Sequence, residues 1–167
     1  MNENRKLVPF DKRQQRNQFD CGVDELNAYV FKQIGQDFKR NIATPFVLLD
    51  EEIIIGFYTL SASSVSVNDL PAEITKKLPK YPIVPVALLG RLAVDKKYQK
   101  QGLGGFLLMD ALKRSFNLSK DIAIMSVIVD AKDKKAIDFY QQYNFKKLGD
   151  NRLFLPMKTI ENILTVE

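Results

Sequence analysis

Histidine is absent from this chain of 167 residues, and cysteine occurs only once, at Cys21. The absence of histidine removes the commonest metal ligand and the usual base that activates serine or cysteine nucleophiles. A single cysteine cannot form an internal disulfide, and nothing in the sequence would activate its thiol, so we interpret Cys21 as a buried or incidental residue. The sequence therefore excludes much hydrolytic chemistry and offers no metal site.

Long apolar runs are also lacking, since no stretch approaches the roughly 18 to 20 apolar residues that a membrane span needs. Residues 1–6 are polar and charged and do not have the order of regions found in a secretory signal. We therefore expect a cytoplasmic protein with no membrane partner. Its length and its apolar share of 46% predict a single globular domain over residues 1–167.

Positive charge is in moderate excess, because 25 lysines and arginines outnumber 20 acidic residues and give a formal net charge of +5. This is a moderate bias toward anionic partners. The basic residues occur in short groups scattered along the chain, as on an ordinary solvated surface. The charge by itself does not indicate nucleic-acid binding.

The order of predicted elements indicates the fold class. Strand patterns cover residues 7–10, 46–49, 53–67, 86–95, 122–130 and 153–157, and helical patterns cover residues 23–40, 72–78, 102–116 and 134–143. Strand, helix and strand in the second half predict a parallel pair with a right-handed crossover, whereas the first half supplies antiparallel strands. We expect an α/β fold with a mixed, mostly antiparallel sheet, a parallel central pair and helices on both faces.

The first long helix is predicted from apolar residues that recur every four positions. Leu26, Val30, Ile34 and Phe38 form this stripe, which is typical of a helix that faces the core. Asp20 or Gly22 is expected to cap the start of the helix. The later proline-rich segment, which contains the short helix 72–78, is expected to form a loop beside the sheet and to contact substrate.

Three glycines crowd into the turn between the predicted strand 86–95 and helix 102–116. Gly102, Gly104 and Gly105 would let the backbone approach a ligand closely, and the free amides at a helix N-terminus favour phosphate. A turn that binds nothing is the alternative. The spacing is neither that of a nucleotide-triphosphate loop nor that of a Rossmann turn. Leu103, Phe106, Leu107 and Ala111 are expected on the buried side of the helix.

The run from Gln99 to Gly104 reads Gln-x-x-Gly-x-Gly and follows a strand that ends Leu-Ala-Val-Asp. It resembles the acyl-coenzyme A signature of the GNAT superfamily of N-acetyltransferases. Residues 133–145 resemble that family's second motif, Asn-x-x-Ala-x-x-Phe-Tyr-x-x-x-Gly-Phe, in the right order and separation. Asp133 stands where the family often has asparagine, and Asn144 stands where it usually has glycine. Asparagine tolerates the left-handed conformation at a helix C-terminus.

The resemblance implies that acetyl-CoA is the co-substrate and that no metal is needed. It places the pantetheine arm along the backbone of Leu92, Ala93 and Val94, with one of these amides facing the thioester oxygen. By the same resemblance the pyrophosphate lies against the amides of the following turn, with Lys100 as an ionic contact. That turn consists of Gln99, Lys100, Gln101, Gly102, Leu103, Gly104 and Gly105.

The resemblance assigns Tyr140 as the general acid that protonates the departing thiolate. A tyrosine with a pKa near ~10 is able to donate a proton at neutral pH, so no histidine is required. An aromatic core residue beside Phe139 is the alternative interpretation of Tyr140. Tyr143 is a second candidate and ranks lower because it occupies a variable position of the motif.

Three further segments, residues 19–22, 56–61 and 89–95, are similar to one branch of the family, the toxin acetyltransferases of bacterial toxin-antitoxin pairs. That branch acetylates the amino group of aminoacyl-tRNA and is neutralised by a ribbon-helix-helix antitoxin. An α-amino group with a pKa near ~8 is partly neutral at pH 7, which suits a chain without an evident general base. The resemblance leaves open whether the enzyme is a homodimer.

Other functions remain alternatives at this point. The acceptor of an acetyltransferase of this type is otherwise a small-molecule amine or a protein N-terminus. A different class is a binding module for coenzyme A or nucleic acid that carries out no turnover. Loss of turnover with retained coenzyme A binding in a Tyr140→Phe variant distinguishes an enzyme from such a module.

Overall fold

The computed structural model describes residues 3–166, and residues 1, 2 and 167 of the predicted domain 1–167 lie outside the described residues. The strands are β1 (Arg5–Pro9), β2 (Thr44–Asp50), β3 (Ile53–Ser66), β4 (Ile83–Val94), β5 (Ser126–Asp130), β6 (Lys146–Lys147) and β7 (Arg152–Pro156). The α-helices are α1 (Asp24–Ala28), α2 (Ile34–Lys39), α3 (Ala72–Thr75), α4 (Leu103–Leu118), α5 (Lys134–Gln141) and α6 (Met157–Thr165). A π-helical segment, Tyr29–Gln33, joins α1 to α2, and short 3-10 turns occupy Val67–Asp69 and Lys96–Tyr98.

The sheet has seven strands in the order β1-β2-β3-β4-β5-β7-β6. β4 and β5 are parallel and are connected through α4, whereas β1 with β2, β2 with β3, β5 with β7, and β6 with β7 pair antiparallel. This confirms the predicted mixed, mostly antiparallel sheet with a parallel central pair. The hairpin of β2 and β3 lies where the acidic turn predicts it.

The contacts of the chain divide it into two compact units. The first unit contains Met1–Ser61 and Gly90–Ala111, and the second contains Ala62–Leu89 and Leu112–Glu167. Each unit has its own cluster of buried apolar side chains. The cluster of the first unit consists of Phe10, Phe19, Cys21, Tyr29, Val30, Ile34, Val47, Leu49, Ile54, Phe57 and Ala93. The cluster of the second consists of Val65, Leu70, Val84, Val86, Ile128 and Phe154.

Within the first unit, helical segments pack on both faces of β3. The Phe57 ring stacks on Tyr29 of the π-helical segment at a centroid separation of 5.8 Å. Tyr58 points the other way and donates a hydrogen bond from its hydroxyl to Asp110 of α4. Gly56 also faces α4, because a Cβ added there would lie 3.2 Å from Leu107. The alternation of β3 therefore explains why this strand is apolar on both sides.

The first long helix differs from the prediction in three respects. It contains the π-helical segment, and its N-cap is Val23, which makes no side-chain capping bond. Asp20 does not cap it, because its carboxylate accepts from the Gly22 amide and the Asn27 side chain. Phe38 packs edge-on against Phe10 at the rim of the core and stays 43% exposed. Cys21 is buried.

The second unit contains two elements that the sequence analysis missed. β6 comprises only two residues, and α6 occupies a segment that had no predicted structure. α6 is anchored by Ile160, which is fully buried. β5 begins at Ser126, later than predicted.

One residue of α4 in the first unit also differs from the prediction. Phe106 is 39% exposed, although it was expected on the buried side of the helix.

Candidate active site

In the first unit, Asp95 fixes the point where β4 ends and the glycine-containing turn begins. Asp95 is buried, and its Oδ1 accepts a hydrogen bond from the Lys97 amide at 2.9 Å while its Oδ2 accepts from the Asp20 amide at 3.0 Å. The amide of Asp95 itself donates to the carbonyl of Ile55 on β3 at 2.8 Å. The carboxylate thus caps the 3-10 turn and ties it to the sheet.

Gln99 braces the turn through its side chain. Its Nε2 donates to the carbonyl of Val94 at 2.8 Å and to the carbonyl of Cys21 at 3.2 Å. Its backbone amide donates to the carbonyl of Lys96 at 3.4 Å. The amide of Gln99 is therefore already engaged in holding the turn, and the amides that remain for a ligand begin at the next residue.

Two residues of the turn have left-handed backbone conformations, Lys100 with φ 65° and Gly102 with φ 77°. A residue with a side chain incurs an energetic cost in this region, as Lys100 does. Glycine at position 102 avoids that cost. Alternation of left-handed and ordinary residues aims successive amides toward one side of a turn, where they form an anion-binding concavity.

The amides of residues 100–105 donate no hydrogen bond to any other residue within the described range 3–166. The first helical hydrogen bond of α4 runs from the Phe106 amide to the Gly102 carbonyl at 3.1 Å. Unpaired amides at the start of a helix of sixteen residues, together with the positive end of its dipole, form a site for phosphate. This is the position at which the sequence predicts the pyrophosphate of acetyl-CoA.

Arg5 is a cation beside this turn that the sequence analysis missed. Its Nη1 donates to Oε1 of Gln101 at 3.2 Å, and its guanidinium carbon lies 5.3 Å from the centroid of the Tyr98 ring. The Tyr98 hydroxyl donates to Asp50 at 3.2 Å, and burial, followed by this hydrogen bond, raises the pKa of Tyr98. Arg5 reaches the turn only because β1 pairs beside β2, which no local pattern reveals.

Leu92, Ala93 and Val94 form the end of β4. The parallel pairing of β4 with β5 covers Val86 to Leu89, so on the side of β5 these three residues lie beyond the paired register. Ala93 packs into the apolar cluster of the first unit, and the carbonyl of Val94 accepts the bond from Gln99. Backbone beyond a paired register is the type of strand end to which an extended ligand adds main-chain hydrogen bonds.

Tyr140 belongs to the second unit and lies on α5. Its ring packs against Phe139 and Phe145 at centroid separations of 5.1 and 5.4 Å, and only 7% of the residue is exposed. Burial raises the pKa of its hydroxyl, which has no hydrogen-bond partner among residues 3–166. Tyr140 is therefore a protonated phenol at neutral pH, the state that a general acid requires. Tyr143 packs against Phe139 at 5.4 Å and is half-buried.

The two departures from the family's second motif have structural explanations. Asp133 is the N-cap of α5, and its Oδ1 accepts a hydrogen bond from the Ala136 amide at 2.8 Å. Aspartate and asparagine cap helices equally well, so the helix that carries Tyr140 begins as the motif implies. Asn144 has φ 72°, which confirms the left-handed conformation expected at the helix C-terminus.

The described part of the chain shows neither a cluster suited to a metal ion nor a helix suited to span a membrane. Residues 3–166 contain no cluster of three or more cysteine, aspartate or glutamate side chains suited to a metal ion. Across the same residues, none of the helices has the length and apolarity needed to cross a bilayer. The turn at residues 99–105 and the strand end at Leu92–Val94 lie in the first unit, and Tyr140 lies in the second.

The model of the acetyltransferase (GNAT) family matches residues 10–145. The chain belongs to this family. The acetyltransferase is 34% identical over 128 residues to the tRNA-acetylating toxin of Mycobacterium tuberculosis (strain ATCC 25618 / H37Rv), an alignment that covers 77% of this chain and 76% of that protein. The predictions of an acetyl-CoA-dependent N-acetyltransferase and of its fold are thereby confirmed.

Solved structures resemble the acetyltransferase over nearly its whole length. The toxin AtaT complexed with acetyl-methionyl-tRNAfMet is 29% identical and superposes with a TM-score of 0.86, covering 96% of this chain and 98% of that one. A mutant of AtaT, bound to acetyl-CoA and to the C-terminus of the antitoxin AtaR, is 26% identical with a TM-score of 0.84, covering 98% and 99%.

Proposed function

We propose that this chain transfers the acetyl group of acetyl-CoA to the α-amino group of an aminoacyl-tRNA and acts as the toxin of a toxin-antitoxin pair. The row of unpartnered amides at residues 100–105 carries the acetyl-CoA part of the proposal. The likeness to a tRNA-acetylating toxin and to AtaT complexed with acetyl-methionyl-tRNAfMet supports the acceptor.

The site residues of this proposal are those that the family resemblance implies. The amides of residues 100–105 bind the pyrophosphate, with Gln99 holding their turn and Lys100 adding a positive charge. Leu92, Ala93 and Val94 align the pantetheine arm, and one of their amides stabilises the negative charge that develops on the thioester oxygen. Tyr140 gives its proton to the thiolate that leaves.

The reaction needs no metal. The neutral α-amine forms a bond to the thioester carbon, the carbon-sulfur bond breaks, and the sulfur takes the proton from Tyr140. The nitrogen then loses one proton to solvent, and the Tyr140 phenolate regains a proton from solvent, which restores the enzyme. An α-amine has a pKa near ~8, so an appreciable fraction is neutral at pH 7 without a general base. The aminoacyl ester, once N-acetylated, no longer has a free amine for peptide-bond formation.

The same proposal covers location, partners and domain organisation. Both substrates, charged tRNA and acetyl-CoA, occur in the cytoplasm, so the proposal locates the chain there. A ribbon-helix-helix antitoxin neutralises it. The proposal further describes the chain as a single domain over residues 1–167 that forms a homodimer.

Two measurements test the partners. Coexpression of an upstream-encoded ribbon-helix-helix protein should yield a stable complex in which acetyl transfer is blocked. Light scattering of the free enzyme should give the mass of a dimer.

The experiment that tests the acceptor uses labelled acetyl-CoA and a pool of charged tRNAs. After incubation, nuclease digestion and chromatography identify any N-acetylated aminoacyl-adenosine. We expect the label on the α-amine of at least one aminoacyl ester. Label found only on small-molecule amines or on a protein N-terminus would favour those alternative acceptors and contradict the toxin proposal.

A further inference from the structure

Arg91 on β4 is a fixed cation without an anionic partner. Its guanidinium carbon lies 3.9 Å from the centroid of the Tyr29 ring, which is close stacking for a cation on an aromatic face. Arg91 is half-buried, and none of the residues in the described range accepts a hydrogen bond from it or forms an ion pair with it. Its five donors thus remain available in one orientation.

The ring that supports Arg91 is itself held on two sides. The Tyr29 hydroxyl donates to Oδ2 of Asp37 at 2.9 Å, and Gln33 donates to Oδ1 of the same carboxylate at 2.9 Å. The Tyr29 ring also stacks on Phe57. Both Asp37 oxygens are thus engaged by Tyr29 and Gln33, and within residues 3–166 this buried carboxylate forms no ion pair with Arg91.

Arg91 lies on the face of the sheet opposite α4. Phe57 and Arg91 both contact Tyr29, whereas Tyr58 on the other face of β3 contacts α4, so Arg91 projects from the face opposite α4. The Arg91 side chain is half-buried and therefore keeps part of its surface open to solvent on this face. An acceptor that reaches the end of β4 on this face would meet the guanidinium.

We propose that Arg91 binds a phosphodiester of the acceptor end of the aminoacyl-tRNA and so positions the α-amine for transfer. This inference rests on the proposed function. In an aminoacyl ester the carboxylate of the amino acid is consumed, and the nearest anions are backbone phosphates of the RNA. A planar guanidinium binds two phosphate oxygens at once, which a lysine ammonium does not.

The test compares Arg91→Gln with wild type on two acceptors that present the same amine. One is the charged tRNA, and the other is the methyl ester of the same amino acid, which has no phosphate. With charged tRNA we expect kcat/KM to fall about tenfold or more, because a charged hydrogen bond is lost. The slope of log kcat/KM against log salt should shrink by about 0.7, the value for one phosphate of a single strand.

Two further variants separate a phosphate contact from a structural effect. Arg91→Lys should keep the salt slope and lose part of the rate, because it keeps the charge and loses the planar pair of donors. Arg13→Gln removes an arginine that is exposed and already paired with Asp11, and should match wild type in both measurements. Transfer to the methyl ester should stay at the wild-type rate in all three variants.

The outcomes distinguish the two levels of the argument. If wild type acetylates no charged tRNA, the proposed function fails and the role of Arg91 fails with it. If wild type acetylates charged tRNA and Arg91→Gln does so with equal kcat/KM and salt slope, only the inference about Arg91 is wrong. An equal loss on tRNA and methyl ester would also overturn it, since Arg91 would then act on the shared amine or on the fold.

Discussion

Tyr140 is a buried phenol whose hydroxyl has no hydrogen-bond partner among residues 3–166, and whose ring is fixed by Phe139 and Phe145. A residue that only fills the core loses little when its hydroxyl is removed, whereas a proton donor loses its function. Tyr140→Phe preserves the ring and its packing. It therefore separates the core interpretation of Tyr140 from the catalytic one.

We expect Tyr140→Phe to lower kcat by about a hundredfold or more, the usual contribution of a general acid, and to leave acetyl-CoA affinity unchanged. Thiol release measures the rate, and calorimetry measures binding. Tyr143→Phe is the matched control, because it removes a hydroxyl from the same motif and should retain the wild-type rate. Unchanged thiol release in Tyr140→Phe would refute the assigned role.

The raised pKa of Tyr140 leads to a prediction about pH. The donating form is the neutral phenol, which is present below the pKa of the folded enzyme and is lost as pH rises through it. Because burial holds that pKa above its ordinary value near ~10, we expect kcat to rise with deprotonation of the acceptor amine and then to stay level to about pH 10. Initial rates of thiol release between pH 6 and 10 test this. A decline of kcat centred near neutral pH would point to a different acid.

At the scale of elements, the N-terminus of α4 depends on a single backbone conformation. Gly102 has φ 77°, and a Cβ added there would meet nothing within 4 Å. A substitution to alanine therefore adds no clash and changes only the backbone energy. The left-handed conformation costs an alanine about 1 kcal/mol, and relief of that strain would turn the amides of residues 100–105 away from their common direction.

We expect Gly102→Ala to lower the free energy of unfolding by about 1 kcal/mol and to weaken acetyl-CoA binding, measured by urea titration and calorimetry. Gly149→Ala is the matched control, since a Cβ at Gly149 also meets nothing within 4 Å and its φ is not in the left-handed region. That variant should bind acetyl-CoA as wild type does. Equal binding in both variants would mean that the turn does not contact the co-substrate.

The elements that the sequence predicts well are those with a local pattern. The glycines after β4 predict the start of α4, and the spacing of residues 133–145 predicts α5 and the left-handed Asn144. β6 has only two residues, too few to show any periodicity. The contacts of Arg5 with Gln101 and of Arg91 with Tyr29 join residues that are distant in the chain, so only the folded structure reveals them.

At the scale of the whole molecule, the described residues include one cluster of buried apolar side chains within each unit. β3, β4 and α4 each begin in one unit and end in the other. Unfolding one unit alone would break these three elements in the middle. A strand or helix that unfolds over only half its length loses hydrogen bonds there, while its other half stays ordered and gains no conformational entropy. This free-energy cost favours unfolding of both units together.

We therefore expect both units to unfold in one transition, as a single domain requires. The chain has no tryptophan, so Phe38→Trp, at the rim of the first cluster, and Tyr81→Trp, exposed in the second unit, each supply one fluorescent probe for one unit. The two urea curves should coincide with each other and with the far-UV signal. Each tryptophan can itself shift the stability, and the far-UV curve of the same variant measures that shift. If the two fluorescence midpoints differ by more than these shifts, the units fold separately, and the prediction of a single domain over residues 1–167 is wrong.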